Sequence, residues 1–200
     1  MGRLIFQIAD LIYRFVSLNI LWLVFTLAGL GIFGVMPSTV ALFSIVREWV
    51  RGEKEISLFT KYYAFFKAEF VRSNILGVFF LAVFYVIYVN FSFVSYFYAA
   101  SIELFIYIVI FFFALIAFMT FINLFSVMAH YEYKTWHYLK ASAGLVFLHP
   151  AKTILQLVWI VAYVIIAINF PKVFVVIGVS VFAYILMSLN YSTFKRLGST

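Results

Sequence analysis

The 200-residue chain contains no cysteine, which excludes disulfides, thiol nucleophiles and cysteine-ligated zinc or iron–sulfur centres. Charge is scarce. Only 10% of residues are Asp, Glu, Lys or Arg, where a soluble domain carries about 25%. Three His stand without a nearby carboxylate cluster, so neither a metal nor any other cofactor is expected. There is no Gly-rich phosphate loop, no G-x-S-x-G, no H-E-x-x-H and no intramembrane carboxylate pair, and the expectation is a non-enzymatic protein. What fills the chain is apolar: 67% hydrophobic residues, among them 27 Phe, 14 Tyr and 4 Trp. With a mean hydropathy of +1.14, this composition belongs in a lipid bilayer.

Uncharged windows run from Phe15 to Val46, Ser73 to Ile102, Leu104 to Tyr131, Thr153 to Pro171 and Val173 to Phe194. Each is long enough for the ~20 helical residues that cross a bilayer core. The expected fold is all-α: a single membrane domain over residues 1–200, built as a bundle of about five transmembrane helices at roughly 16–36, 75–97, 103–126, 153–170 and 173–191. Asn90 to Ser101 reads as a turn between the second and third spans, and Pro171 separates the last two. Arg14 interrupts the apolar start and no small-residue cleavage site follows, so no signal peptide is expected. Leu4, Ile5, Ile8, Leu11, Ile12 and Phe15 recur at helical spacing opposite Arg3, Gln7, Asp10 and Arg14, which predicts an amphipathic interfacial helix at the N-terminus.

Lys and Arg resist translocation and mark the cytoplasmic side. If the loop after the first span is inside, the inner face holds Arg47, Arg51, Lys54, Lys61, Lys67, Arg72, Lys134, Lys140, Lys152, Lys195 and Arg196, against Arg3, Arg14 and Lys172 outside. This favours a cytoplasmic C-terminus and an external N-terminus. A re-entrant first segment, broken by Gly29, Gly31 and Gly34, would instead leave the N-terminus inside. Sidedness accounts for most of the basic residues, no nucleic-acid motif is present, and anionic lipid is the expected counter-charge.

The cytoplasmic stretch 37–74 carries a predicted kink and a predicted surface. Gly34 permits a turn, and Pro37 fits the first turn of a new helix. From Arg47 to Arg72, charged residues alternate with aromatic ones, and Ser57 is a plausible N-cap for an amphipathic helix from Leu58. Its aromatic side serves either to anchor the bundle at the interface or to dock a partner through Arg47, Trp49, Arg51, Phe59, Tyr62, Phe66 and Phe70. Polar residues within spans are the other candidates: Asn19, Thr26, Asn90, Thr120, Asn123, Ser126, Gln156, Asn169, Ser188 and Asn190. Such groups face protein or a water-filled cavity, either as interhelical bonds or, for Asn123, Gln156 and Asn190, as the lining of a polar cavity. No span has an ionisable residue at mid-depth, which disfavours an ion-coupled carrier. His130 and His137 are seven apart, two helical turns, too far to chelate one ion.

The run Leu18-Asn19-Ile20-Leu21-Trp22, the segment from Gly34 through Pro37 to Leu42, the segment Val46 to Glu53, and then Phe59, Tyr62, Phe66, Phe70, Ser73 and Asn74 resemble the YesL family, DUF624, of small bacterial membrane proteins. Ser38 departs from the Ala that many relatives place there. The resemblance implies about five spans in the cytoplasmic membrane of a Gram-positive bacterium, and no catalytic residue to carry over. Family members tend to lie beside genes for oligosaccharide ABC importers and glycoside hydrolases, which implies a role in carbohydrate uptake. The expected function is therefore a non-catalytic accessory subunit packing on the permease subunits of such an importer. The alternatives are a substrate-binding component or channel for a small polar solute, and a self-associating structural protein.

Overall fold

A computed structural model describes residues 2–53 and 56–197, with side chains over 6–53 and 56–196. Helices follow one another with short connections: α1 (Gly2–Ala28), α2 (Ile32–Val50), α3 (Leu58–Phe97), α4 (Ala100–His130), α5 (Thr135–Leu148), α6 (Pro150–Asn169) and α7 (Pro171–Val173), then a π-helical turn Phe174–Gly178 that leads into α8 (Val179–Leu197). Five segments are long and apolar enough to cross a membrane: Phe6–Ala28, Leu58–Phe97, Ala100–His130, Pro150–Asn169 and Pro171–Arg196. The protein is an all-α membrane bundle.

The first uncharged window holds two helices rather than the single span 16–36. The chain turns at Gly29-Leu30-Gly31, where Leu30 and Gly31 take φ of 61° and 70°. Gly31 N–H closes the turn on the Thr26 carbonyl at 2.9 Å. Gly34 and Pro37 lie inside α2, not at the bend. Gly34 is there for close approach, because a Cβ at this position would fall on the carbonyl oxygen of Thr26. Pro37 cannot donate to the carbonyl four residues back, that of Phe33, and Asn74 Nδ2 of α3 donates to that oxygen instead at 2.9 Å. Further along the hairpin, Trp22 Nε1 donates to Thr39 Oγ1 at 3.1 Å, and the Phe15 and Trp49 rings meet edge-on at 5.8 Å. The charged part of α1 thus returns to the same end of the bundle as Arg47, which overturns the placement of the N-terminus opposite the Arg47–Arg72 segment.

The remaining corrections have equally local causes. The N-terminal amphipathic segment is not a separate helix, since nothing between Gly2 and Ala28 breaks α1; the side chains of Arg3, Leu4 and Ile5 lie outside the description. Lys54 falls outside the described residues. Most of the stretch 37–74 is helix rather than loop, and the amphipathic part of α3 runs into the second span as one helix of 40 residues, about 60 Å at 1.5 Å per residue. Ser57 stands at its N-cap without a side-chain cap bond. The turn between the second and third spans shrinks to Tyr98-Ala99, because Asn90 and Ser92 spend their side chains on carbonyls four residues back (2.8 Å each) and remain helical.

α2 is buried on every side from Val40 to Val46 and forms the axis of the bundle, with α1, α3, α4 and α8 packed around it. Phe43 stacks on Phe125 of α4 (5.7 Å), while α3 and α4 run antiparallel, Phe80 against Phe121 (5.0 Å) and Phe91 against Tyr107 (4.9 Å).

Gly34→Ala should lower stability by about 3 kcal/mol, since the helix backbones must separate. Gly144→Ala, where the new methyl meets nothing nearer than Leu148 Cδ1 at 4.0 Å, should be neutral or stabilising. Thermal unfolding of the detergent-solubilised variants distinguishes the two; equal midpoints would refute the close-approach role of Gly34.

Candidate functional site

Asn123 of α4, Gln156 of α6 and Asn190 of α8 come together as one cluster. Gln156 Nε2 donates to Asn123 Oδ1 (3.1 Å) and to Asn190 Oδ1 (2.8 Å), and Asn190 Nδ2 donates to Asn123 Oδ1 (2.9 Å). All three side chains are buried, and Gln156 is the only buried residue of α6. The void beside them, bordered by His149, Lys152 and Thr193, measures about 10 Å³. That is room for about one water at most. The amides are therefore an interhelical clamp rather than the lining of a solute-sized cavity, because three hydrogen bonds join them across that space.

Two more intramembrane polar groups are consumed in the same way. Asn19 of α1 donates through Nδ2 to the Val175 carbonyl in the π-helical turn (2.6 Å) and accepts from Ser180 N–H at 3.3 Å. Thr120 bonds the Ile116 carbonyl at 2.8 Å.

Among the described residues of the Arg47–Arg72 segment, Glu48, Trp49 and Tyr62 are buried and the others are partly or fully exposed. Arg47 lies beside Glu48 (Nη2 to Oε1, 2.6 Å) and donates through Nη1 to the Ala129 carbonyl of α4. Lys61 Nζ reaches Glu48 Oε2 at 3.4 Å. Burial pushes the Glu48 carboxyl up, but hydrogen bonding with Arg47 and Glu53 and the charges of Arg47 and Lys61 outweigh it and bring its pKa down to about 2. Trp49 is buried against Phe15. Tyr62 is fully buried and donates to the Ser38 carbonyl at 2.7 Å. Phe25 of α1 packs on part of the aromatic face: its ring lies 5.8 Å from Phe59, 5.0 Å from Tyr62 and 5.1 Å from Phe66, and Phe70 packs on Phe66 at 5.5 Å. Arg51 and Phe59 alone of that set are exposed.

Three residues the spacing analysis did not single out make further polar contacts in the bundle. Glu48 is the carboxylate between Arg47 and Lys61; Asn74 caps the carbonyl that Pro37 leaves open; Tyr138 of α5 bridges Tyr133 N–H and the Tyr131 carbonyl through its hydroxyl (3.0 and 3.1 Å). Only Asn74 carried a sequence signal, an amide at the start of a span opposite a helix with an internal proline.

Compared with known proteins, residues 15–91 match the family described as "Protein of unknown function, DUF624". The uncharacterized protein YteU of Bacillus subtilis is 30% identical over 199 residues, 98% of this chain and 87% of that protein. The uncharacterized YesL of the same organism is 28% identical over 187 residues, 93% of this chain and 87% of that one. YesV, also uncharacterized, is 34% identical over 86 residues, 43% of this chain and 41% of that protein. No solved structure matches.

Asn123→Leu strands donors on both Gln156 and Asn190 and should cost about 2–4 kcal/mol, more than the triple leucine variant at 123, 156 and 190, which strands none. A thermal-unfolding series in detergent reads this; a triple variant less stable than the single one would refute the clamp. For Glu48 the sign follows from a folded pKa below the ordinary 4.5. Its stabilisation is fully present above about pH 5 and is lost as pH falls through the window from 4.5 to about 2. Acid titration of unfolding should therefore be shallower across that window in Glu48→Gln than in the parent, and identical slopes would remove Glu48 from the account.

Proposed function

This chain belongs to the DUF624 family, and from that membership we propose that it is a non-catalytic accessory subunit of a bacterial carbohydrate ABC importer, packing on the membrane-embedded permease subunits. The observation that carries the reading is the contrast between a closed interior and wide unpartnered apolar faces. Inside the membrane, Asn123, Gln156 and Asn190 bond one another beside a void of about 10 Å³, which leaves no room for a solute between them. The outer parts of α3 and α4 and most of α6, by contrast, present side chains such as Phe105, Phe112, Leu155 and Ile165 on the surface. Helix faces of this kind suit contact with other spans. The closed interior weighs against a channel or solute-binding component.

The bacterial cytoplasmic membrane is the proposed location, with both termini on the cytoplasmic side. The α1–α2 hairpin brings Arg14 to the end that carries Arg47, while His130 stacks on Phe194 (4.5 Å) and Lys152 Nζ donates to Ser192 Oγ (2.6 Å), so the C-terminal end of α8 lies there too. Among the described Lys and Arg, Lys172 alone then falls on the outer side.

A photo-crosslinking residue placed at Phe112 or Ile165, both more than half exposed, should yield an adduct with an ABC permease subunit in cells of the native host, identified by mass spectrometry. The same group at buried Leu186 should yield none. Adducts with lipid alone, or with a second copy of this chain, would overturn the accessory-subunit reading.

A further inference from the structure

A cleft of about 490 Å³ opens between α1, α2 and α8, at the charged end of the bundle. That size falls within the ~300–1,000 Å³ of ordinary ligand pockets. Its chemistry is sharply divided. Asp10 and Arg14 line it as an ion pair (2.8 Å), Phe15, Trp49 and Tyr184 form an aromatic wall, and Ile8 and Leu11 stand at its edge, each more than half exposed. The wall is rigid: Phe15 meets Trp49 and Tyr184 edge-on, at 5.8 and 5.5 Å. Trp49 is 8% exposed, and its indole N–H is buried with no acceptor in the protein.

We propose that this cleft holds one zwitterionic aminophospholipid. Apolar side chains at the edge suit acyl chains and are ill suited to an aqueous solute. The two charges of the polar wall complement a headgroup that itself carries both signs, ammonium toward Asp10 and phosphate toward Arg14. An anionic lipid without an amine would set its only charge beside the Asp10 carboxylate, with nothing on the ligand to offset that repulsion. The position fits as well, since Trp and paired charges gather at the depth where headgroups begin.

The test uses the full chain in phosphatidylcholine nanodiscs titrated with acyl-brominated phosphatidylethanolamine, reading tryptophan fluorescence. A saturable quenching component at low mole fraction is expected, at least fivefold stronger than with brominated phosphatidylglycerol. It should vanish in Trp49→Phe, which keeps the ring and removes the N–H, leaving the other three of the 4 Trp as background. Asp10→Asn, at a partly exposed position and with all tryptophans retained, should abolish the headgroup preference, and it carries the test by itself if Trp49→Phe fails to fold. Quenching that rises linearly and equally for both lipids, a preference for phosphatidylglycerol, or a saturable component that survives in Trp49→Phe would each overturn the proposal.

Discussion

Everything in this fold hangs on the contact between the backbone of Gly34 and the carbonyl of Thr26. It lets the first apolar stretch double back within three residues, so that α2 runs down the middle of the bundle instead of leaving it. Once α2 is central, Arg47, Glu48 and Trp49 are delivered to the packed end of α4 and α8. There, groups that look from the sequence like a surface become interior. The N-terminal charges return to the same end for the same reason.

Three backbone carbonyls around α2 are settled by side chains of neighbouring helices. The Phe33 carbonyl goes to Asn74, the Ser38 carbonyl to Tyr62, and the Ala129 carbonyl to Arg47. Each of these bonds joins two helices, and each occupies a backbone oxygen rather than another side chain. The result is a bundle whose interior recognition is spent on itself, and whose outward character is apolar and aromatic. This is the physical basis for reading it as something that other membrane helices pack against.

Class and most of the crossings were legible because charged residues bound each uncharged window. Pro150 and Pro171 likewise announce the starts of α6 and α7. The α1–α2 turn was not legible, since the window from Phe15 to Val46 holds no charge to divide it, and the glycine that looks like a bend, Gly34, does a different job from those that bend, Gly29 and Gly31. Helix α5 escaped notice because Trp136 to Lys140 mixes basic and aromatic residues without a long apolar run. Of the candidate residues, Asn123, Gln156 and Asn190 were legible as a group, because an amide at that depth must find a partner, yet spacing alone does not distinguish a clamp from a cavity. The aromatic residues of α3 were legible as one face. What packs on part of that face, Phe25, depends on the hairpin.

The amide clamp also sets an order of assembly. Asn123 and Gln156 are 33 residues apart, and Asn190 follows Gln156 by 34. During synthesis α6 therefore enters the bilayer with one of its two partners already present and the other still to be made. Since the rest of α6 tolerates lipid, the helix can wait there, loosely held, until α8 arrives and closes the ring. The last helix to be made is thus the one that fixes the register of the helix before it.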